Sequence, residues 1–193
     1  MMAATDAIAT AAPYDTGREY LHDELARLNV RLARFARRRA CARPTGADGR
    51  ADEDLRDADE LIRRIDHHVG LRLAASYRNL IDLPLAALSR LYQLTAFETE
   101  TVLVCLAPEV DRRYEDLYGF LQDDISQQKP TVGLVLALLC TDEERLTARR
   151  SFDPQAPLIR YRLCRLNESS VPGSCPLESR TLTLAPRIAQ FLL

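Results

Sequence analysis

The chain has 193 residues, of which 47% are hydrophobic and 28% charged, and its formal net charge is −2. This composition is ordinary for a globular protein, and the net charge provides no general attraction to nucleic acid. No apolar run approaches the roughly 20 residues that span a bilayer, the N-terminal stretch MMAATDAIATAAPYDTG lacks a basic region, and the five cysteines form no CxxC pair. We therefore expect a cytoplasmic protein without a secretory signal, a membrane segment or a zinc site.

Residues 1–13 are predicted to be a disordered lead-in to two long amphipathic helices. The first helix is predicted from residue 14 to about residue 40 and the second up to residue 80, with a loop rich in Pro, Gly and Asp at residues 41–53. Apolar residues recur in both at steps of three and four: Leu21, Leu25, Leu28, Leu32 and Phe35 in the first, and Leu55, Ala58, Ile62, Ile65, Val69 and Leu73 in the second. Since each helix has only one apolar face, we predict an antiparallel helical hairpin over residues 14–82.

Shorter elements are predicted after the break at Asp82-Leu83-Pro84, because the residue before a proline avoids the helical region. One helix is predicted from residue 84 to about residue 94. The capping box Thr95-Ala96-Phe97-Glu98 opens the next, which is predicted to end near residue 106. Pro108 is expected to begin a further helix, since proline is favoured in the first helical turn.

A helix, a polar turn and a second helix are predicted in LYGFLQDDISQQKPTVGLVLALLC, residues 117–140. The second helix, capped by Thr131, takes the recognition position of a helix-turn-helix in this interpretation. It has no charged or amide side chain, so we do not expect it to read DNA bases. We assign four of its apolar residues to the core of the winged domain: Val132, Val135, Leu136 and Leu139. The other two, Leu134 and Leu138, belong either to the core or to a contact surface for another domain. A second capping box, residues 141–144, is predicted to open a short helix to about residue 150.

A β-hairpin is predicted next, because apolar and polar residues alternate in PLIRYRLCRL (residues 157–166) and in ESRTLTLAP (residues 178–186), with a turn-rich tip between them. Short helices followed by a hairpin give the order of a winged-helix domain, which we predict over residues 83–193. PRIAQFLL then predicts a final, mostly apolar helix. The expected fold class is mainly α with a small β-hairpin: an N-terminal helical hairpin followed by a winged-helix domain.

The sequence contains no recognisable catalytic, cofactor-binding or metal-binding motif. The P-loop GxxxxGK[ST] is missing, as are GxGxxG, HExxH and GxSxG. His67 and His68 are adjacent, so on a helix they point about 100° apart and do not suit one metal ion. The residues that we single out for contact with nucleic acid or a partner are the arginines predicted on the wing: Arg160, Arg162, Arg165 and Arg180. Alone they would give weak, salt-sensitive binding.

The stretch from residue 94 to residue 140 resembles the winged-helix domain that precedes the ATPase core in a group of bacterial AAA ATPases. Pieces of that family's pattern occur in the same order over about residues 83–193: Thr95-Ala96-Phe97-Glu98, Ala107-Pro108-Glu109-Val110-Asp111, Arg113-Tyr114, Leu117-Tyr118, Pro130-Thr131, Pro157-Leu158 with Arg160 and Leu163, and Leu182 through Leu192.

The resemblance implies a non-catalytic N-terminal region that mediates protein interaction or positioning in a cytoplasmic AAA ATPase that remodels a protein assembly. ATP and magnesium would bind in a core downstream of this chain, and homo-oligomerisation would arise through the ring of that core. The implied partners are the core and an unidentified protein. Two alternatives remain open at this point. One is a DNA-binding winged-helix regulator that uses a basic wing, and the other is a self-association module in which hairpin stripes pair between chains.

Overall fold

The protein, seen here as a computed structural model, divides into two units. The described residues are 11–41, 49–167 and 175–193. We call the two parts the hairpin unit, Met1–Ala86, and the winged unit, Ala87–Leu193. The predicted boundary lay between residues 82 and 83. Three predicted features fall wholly or partly outside the described residues: the lead-in at residues 1–10, the loop at residues 42–48, and the wing tip at residues 168–174.

Two long helices, α1 (Gly17–Cys41) and α2 (Gly49–Arg78), form the hairpin unit together with the start of the next helix. The predicted apolar stripes contribute buried residues from each: Leu21, Leu28 and Leu32 from α1, and Ala58 and Val69 from α2. Ala75 of α2, which lies outside the predicted stripe, is buried as well. Arginines of each helix pair with acidic residues of the other: Arg34 with Asp59, Arg27 with Asp66, and Arg72 with Asp23, at 2.5, 3.1 and 3.2 Å. The residue numbers fall along α1 as they rise along α2, so the helices are antiparallel, as predicted.

The segment before α1 is fastened to the hairpin through Tyr14, which is fully buried. Its backbone N–H donates to Ser76 Oγ at 2.8 Å, and its hydroxyl donates to Asp23 Oδ2 at 3.1 Å. The Arg72 guanidinium lies 4.0 Å from the centre of the Tyr14 ring, and it also donates to the carbonyl oxygens of residues 12 and 13 at 3.2 and 3.3 Å. Two residues assigned to the lead-in therefore contact the hairpin through their backbone.

The helices of the winged unit begin with α3 (Pro84–Leu91), in which the unit boundary falls, and continue with α4 (Ala96–Val110), α5 (Arg113–Leu121) and α6 (Val132–Leu139). The capping box that opens α4 is present: Glu98 N–H donates to Thr95 Oγ1 at 3.2 Å, and Thr95 N–H donates to Glu98 Oε2 at 2.9 Å. Thr131 caps α6 by accepting from Leu134 N–H at 3.1 Å. Both predicted caps are confirmed. They could be predicted because each depends only on residues within one turn of the helix.

The expectation that Pro108 begins a helix is wrong, because Pro108 lies inside α4. A proline in a helix cannot donate to the carbonyl four residues earlier, which here belongs to Val104. The Tyr118 hydroxyl of α5 donates to that carbonyl at 2.9 Å. Tyr118 is fully buried, and burial raises the pKa of its hydroxyl well above the usual range. A neighbouring helix thus supplies the hydrogen bond that the proline removes.

The second predicted capping box is only half formed. Thr141 N–H donates to Glu144 Oε2 at 2.9 Å, but the Thr141 hydroxyl donates to the same carboxylate instead of accepting from a backbone N–H. The helix that follows, α7 (Arg145–Ala148), is accordingly one turn long and continues as a 3₁₀ turn over Arg149–Phe152.

The first predicted wing strand is wrong over residues 157–163. Pro157–Arg160 forms a short helix, α8, and strand β1 begins only at Cys164. Leu163 N–H donates to the Leu158 carbonyl at 3.0 Å, and Arg162 N–H donates to the carbonyl of residue 159 at 3.0 Å. With Arg162 in the left-handed region at φ 52°, this is a Schellman ending. Leu158 and Leu163 are both fully buried, so the alternation that predicted a strand belongs to a helix end.

Strand β1 (Cys164–Asn167) pairs with β2 (Thr181–Leu184) in an antiparallel register that runs from Cys164 opposite Leu184 to Asn167 opposite Thr181. Residues 130–132 lie along the other edge of β2, where Thr131 bridges Thr181. The final helix, α9 (Pro186–Leu192), follows β2. The fold is therefore mainly α with a small two-stranded sheet, and the predicted fold class is confirmed.

The pairing of residues 130–132 with β2 changes which helix takes the recognition position. α6 starts directly at the segment that pairs with the wing. The helical residues 145–152 come directly after α6 along the chain, and α8 follows them before β1. α6 is thus the first helix of the pair, and residues 145–152 take the place of the second. The prediction that α6 holds the recognition position is wrong.

α6 instead contributes to the core of the winged unit. Its residues Val132, Leu134, Val135 and Leu136 are buried, whereas Leu138 and Leu139 are half-buried. The sequence left it open whether Leu134 belongs to the core or to a contact surface for another domain. Its burial shows that it is a core residue. Within the described residues no helix is long and apolar enough to cross a membrane.

Candidate partner-binding site

The four arginines singled out from the sequence do not share one surface. Arg160 is exposed at the end of α8, Arg162 is exposed at the left-handed position after it, and Arg165 is exposed on β1 opposite Thr183. Arg180 is half-buried just before β2, and its carbonyl accepts from Val132 N–H at 3.0 Å. Residue 180 lies at the wing-tip end of the β-hairpin, and residue 162 lies at the opposite end, just before β1. About 20 Å of extended chain separates the two ends.

A fifth arginine, Arg187, completes the group near α8. Ala185 N–H donates to the Leu163 carbonyl at 2.9 Å, so the antiparallel course of the hairpin continues beyond the two strands and brings residue 187 opposite residue 161. Arg187 Nη2 donates to the Tyr161 carbonyl at 2.7 Å and to the Arg162 carbonyl at 3.5 Å. Arg187 was not predicted to join this group because residues 186–193 were assigned to a separate final helix. Its position in the first turn after β2 was the signal that could have placed it next to the wing.

We name Arg160, Arg162, Arg165 and Arg187 the arginine cluster. Arg160, Arg162 and Arg187 lie around the peptide that joins residues 161 and 162. Arg165 is three residues further along the chain, so its backbone lies within about 10 Å of Arg162.

The charge of the arginine cluster is not compensated by any carboxylate of the described residues, since none of its members forms an ion pair there. Backbone carbonyls accept hydrogen bonds from Arg187 but do not neutralise it. Four other arginines of the winged unit do have an acidic partner: Asp111 for Arg113, Glu115 for Arg112, Asp142 for Arg145 and Glu178 for Arg149. The cluster is therefore a region of net positive charge.

Two tyrosine rings lie beside the cluster. The rings of Tyr161 and Tyr92 have centroids 5.0 Å apart and are tilted by 46°. The Arg160 guanidinium lies 5.6 Å from the centre of the Tyr161 ring, within the range of a cation–π contact. Tyr161 remains 41% exposed, so the surface next to the charges is partly aromatic.

The recognition segment, residues 141–152, has a different charge pattern. Asp142, Glu143 and Glu144 are exposed at its start, with the Asp142 side chain 80% accessible. A backbone hydrogen bond from Thr141 lowers the pKa of Glu144, which keeps that carboxylate ionised at neutral pH. Arg145 and Arg149 are both engaged in ion pairs. Arg150 is also exposed, so three arginines match the three carboxylates, and the element that would approach the bases of a duplex has no net charge.

No metal or nucleophile centre emerges from the described residues. No three His, Cys, Asp or Glu side chains there are placed to hold a metal ion. His67 and His68 are both exposed on α2. Cys105 of α4 is buried near Cys164 of β1, and the hydrogen bond between their side chains together with burial raises the pKa of the Cys105 thiol well above its usual range. Such a thiol is protonated and unreactive at neutral pH.

The hairpin unit has a shallow groove of about 420 Å³ between its two helices. Its lining is mixed, and consists of Asp23, Ala26, Leu61, Arg64, Ile65, His68, Val69 and Arg72. Leu61 is 43% exposed there.

A family model described as "Winged helix domain, variant" matches residues 2–193. No curated protein and no solved structure matches the chain at a significant level.

Proposed function

Since the chain belongs to the variant winged-helix family, we propose that it is a protein-interaction and positioning region, without catalytic activity of its own, of a cytoplasmic AAA ATPase that remodels a protein assembly. The observation that carries the interaction role is the charge balance of the recognition segment. Its carboxylates at residues 142–144 are matched by Arg145, Arg149 and Arg150, so it offers no net positive charge where a DNA-binding winged helix would approach phosphates.

The burial of α6 supports the same conclusion. A helix whose Val132, Val135 and Leu136 are buried has its apolar surface already covered by its own domain. Its role in the winged unit is structural. α6 therefore presents no Arg, Lys, Asn or Gln side chain that could read base edges. The exposed Arg145 and Arg150 of the recognition segment are balanced by carboxylates of the same segment.

The link to an ATPase rests on the resemblance of residues 83–193 to the domain that precedes AAA cores. In this proposal, ATP and magnesium bind in that core and not in the present chain. The hairpin unit is the second partner-facing element, because its groove exposes Leu61 beside Arg64 and His68.

The test compares the parent polypeptide with and without residues 1–193. We expect the shortened protein to hydrolyse ATP but to lose remodelling of its substrate assembly, and the isolated 193-residue chain to hydrolyse none. A parent polypeptide without a GxxxxGK[ST] motif, or ATP hydrolysis by the isolated chain, would contradict the proposal.

A second candidate is a DNA-binding regulator, which the uncompensated charge of the arginine cluster favours. Binding of the chain to labelled duplexes of varied sequence should be measured across a salt series. We expect weak binding that is independent of sequence and disappears as salt is raised. Sequence-dependent, submicromolar binding that Arg160→Ala and Arg162→Ala weaken would instead support the regulator.

A further inference from the structure

We infer that the arginine cluster is the docking site for a short acidic segment of a partner protein, which it binds through Asp and Glu carboxylates. The inference rests on the proposed interaction function and names the chemistry of the partner. Each guanidinium presents up to five N–H donors in a planar fork that fits a carboxylate. None of the four arginines has a carboxylate partner among the described residues.

The backbone at Arg162 fixes where this arginine lies. Its φ of 52° is the conformation of the residue after a Schellman helix end, where glycine is the usual residue. The Arg187 side chain donates to the carbonyls of residues 161 and 162, so its guanidinium lies against the same turn.

Size and charge favour an acidic segment over a nucleic acid duplex. A duplex that docks as on a DNA-binding winged helix would also meet the recognition segment, which adds no net positive charge because the carboxylates at residues 142–144 offset its arginines. An extended peptide covers about 10 Å with three residues, so it can contact the cluster alone and avoid those carboxylates. The Tyr161 ring, 41% exposed, offers an apolar surface for a side chain flanking the acidic residues.

The experiment uses fluorescence anisotropy with the whole chain at near-physiological salt. The probe is a labelled peptide of alternating Asp and Glu, about eight residues long and hence sufficient to cross the cluster. A peptide of alternating Asn and Gln is the control for shape, and a random-sequence DNA duplex is the control for general anion binding. We expect the acidic peptide to bind and the amide peptide not to bind.

The variant that tests the site is Arg160→Gln with Arg165→Gln, because both side chains are exposed and neither braces the backbone. We expect it to weaken peptide binding at least about tenfold. The matched control, Arg112→Gln with Arg113→Gln, removes the same charge from the same unit, and we expect less than about a twofold change. Circular dichroism should show that both variants remain folded.

Each other result would overturn the inference in a distinguishable way. Failure of the acidic peptide to bind, or an equal loss in the two double variants, removes the cluster as its site but leaves the proposed function to the test on the parent polypeptide. Tighter binding to the duplex than to the peptide, with dependence on DNA sequence, would contradict both the inference and the proposed function.

Discussion

The hairpin between α1 and α2 and the arginine cluster of the winged unit use arginine in opposite ways. Along the hairpin, arginines lie opposite acidic residues of the other helix, as Arg27 lies opposite Asp66, and the pairs are partly buried. At the base of the wing, the arginine cluster has no described carboxylate to contact. The same side chain therefore fixes structure in the first unit and remains available for a partner in the second. What distinguishes a structural arginine from an available one is whether a carboxylate lies next to it, and not how many arginines the unit contains.

The largest effect in this comparison is expected from Arg72→Met in the hairpin unit. It removes the ion pairs to Glu19 and Asp23 and the contact with the Tyr14 ring. We expect a loss of about 2–4 kcal/mol in the free energy of unfolding, because the largely buried Arg72 also donates to the carbonyls of residues 12 and 13, and its loss leaves the part-buried Asp23 without its cation. Urea denaturation checks this value. Arg63→Met, which breaks only the exposed pair with Glu60, should leave the free energy of unfolding almost unchanged, and equal losses would show that the Arg72 contacts are not structural.

The next effect concerns the winged unit, where a tyrosine compensates for a proline. Tyr118→Phe should lower the free energy of unfolding by about 1–3 kcal/mol, since the buried Val104 carbonyl loses the hydrogen bond from the Tyr118 hydroxyl. The control is the double-mutant cycle with Pro108→Ala, which restores a backbone N–H to that carbonyl. In the Pro108→Ala background the cost of Tyr118→Phe should fall by about half or more. Additive losses would contradict the explanation.

A smaller effect is expected at Arg162, where stability and binding should separate. Arg162→Gly removes the steric cost of the left-handed backbone, so the glycine variant should be about 1 kcal/mol more stable than Arg162→Ala, which keeps a Cβ. Both variants lose the guanidinium and should bind the acidic peptide equally weakly. Thermal unfolding measures the first difference and anisotropy the second. An alanine variant as stable as the glycine variant would show that the turn relaxes.

The smallest effect is a pH dependence that distinguishes two carboxylates. A backbone hydrogen bond from Asp15 and a side-chain hydrogen bond from Arg72 lower the pKa of Glu19, whereas hydrogen bonds from Thr141 lower the pKa of Glu144. A lowered pKa in the folded state contributes stability above the unfolded pKa, and that stability is lost as the pH falls through the folded pKa. In Arg72→Met, NMR titration should show the pKa of Glu19 rising towards its usual range and that of Glu144 unchanged. A shift of both would indicate a global change.

Much of the fold could be predicted because its causes are local. The stripe of Leu21, Leu28 and Leu32 and the capping box at Thr95 are each specified by residues within a turn or two. Pro108 could not be placed, because its tolerance inside α4 depends on Tyr118 of another helix. The strand prediction failed at Arg162 because a Schellman ending buries two apolar residues at a spacing that resembles a strand.

The candidate site was half predictable for the same reason. Arg160, Arg162 and Arg165 were recognised from their clustering in the sequence, but the tertiary pairing that brings Arg187 to the Tyr161 carbonyl was not visible in any local pattern. Arg180 was grouped with them by its position on the predicted wing. Strand register decides that it lies at the other end of the hairpin.

The order of charges along α1 and α2 has a consequence for how the two helices can align. At two levels the arginine belongs to α1, in Arg34 and Arg27, but at the third it belongs to α2, in Arg72. A slip of about two turns in one direction would bring Arg27 towards Arg72, and a slip in the other would bring Asp23 towards Asp66, and like charges repel in both cases. The reversed pair therefore selects a single alignment out of several that the repeating leucines alone would permit.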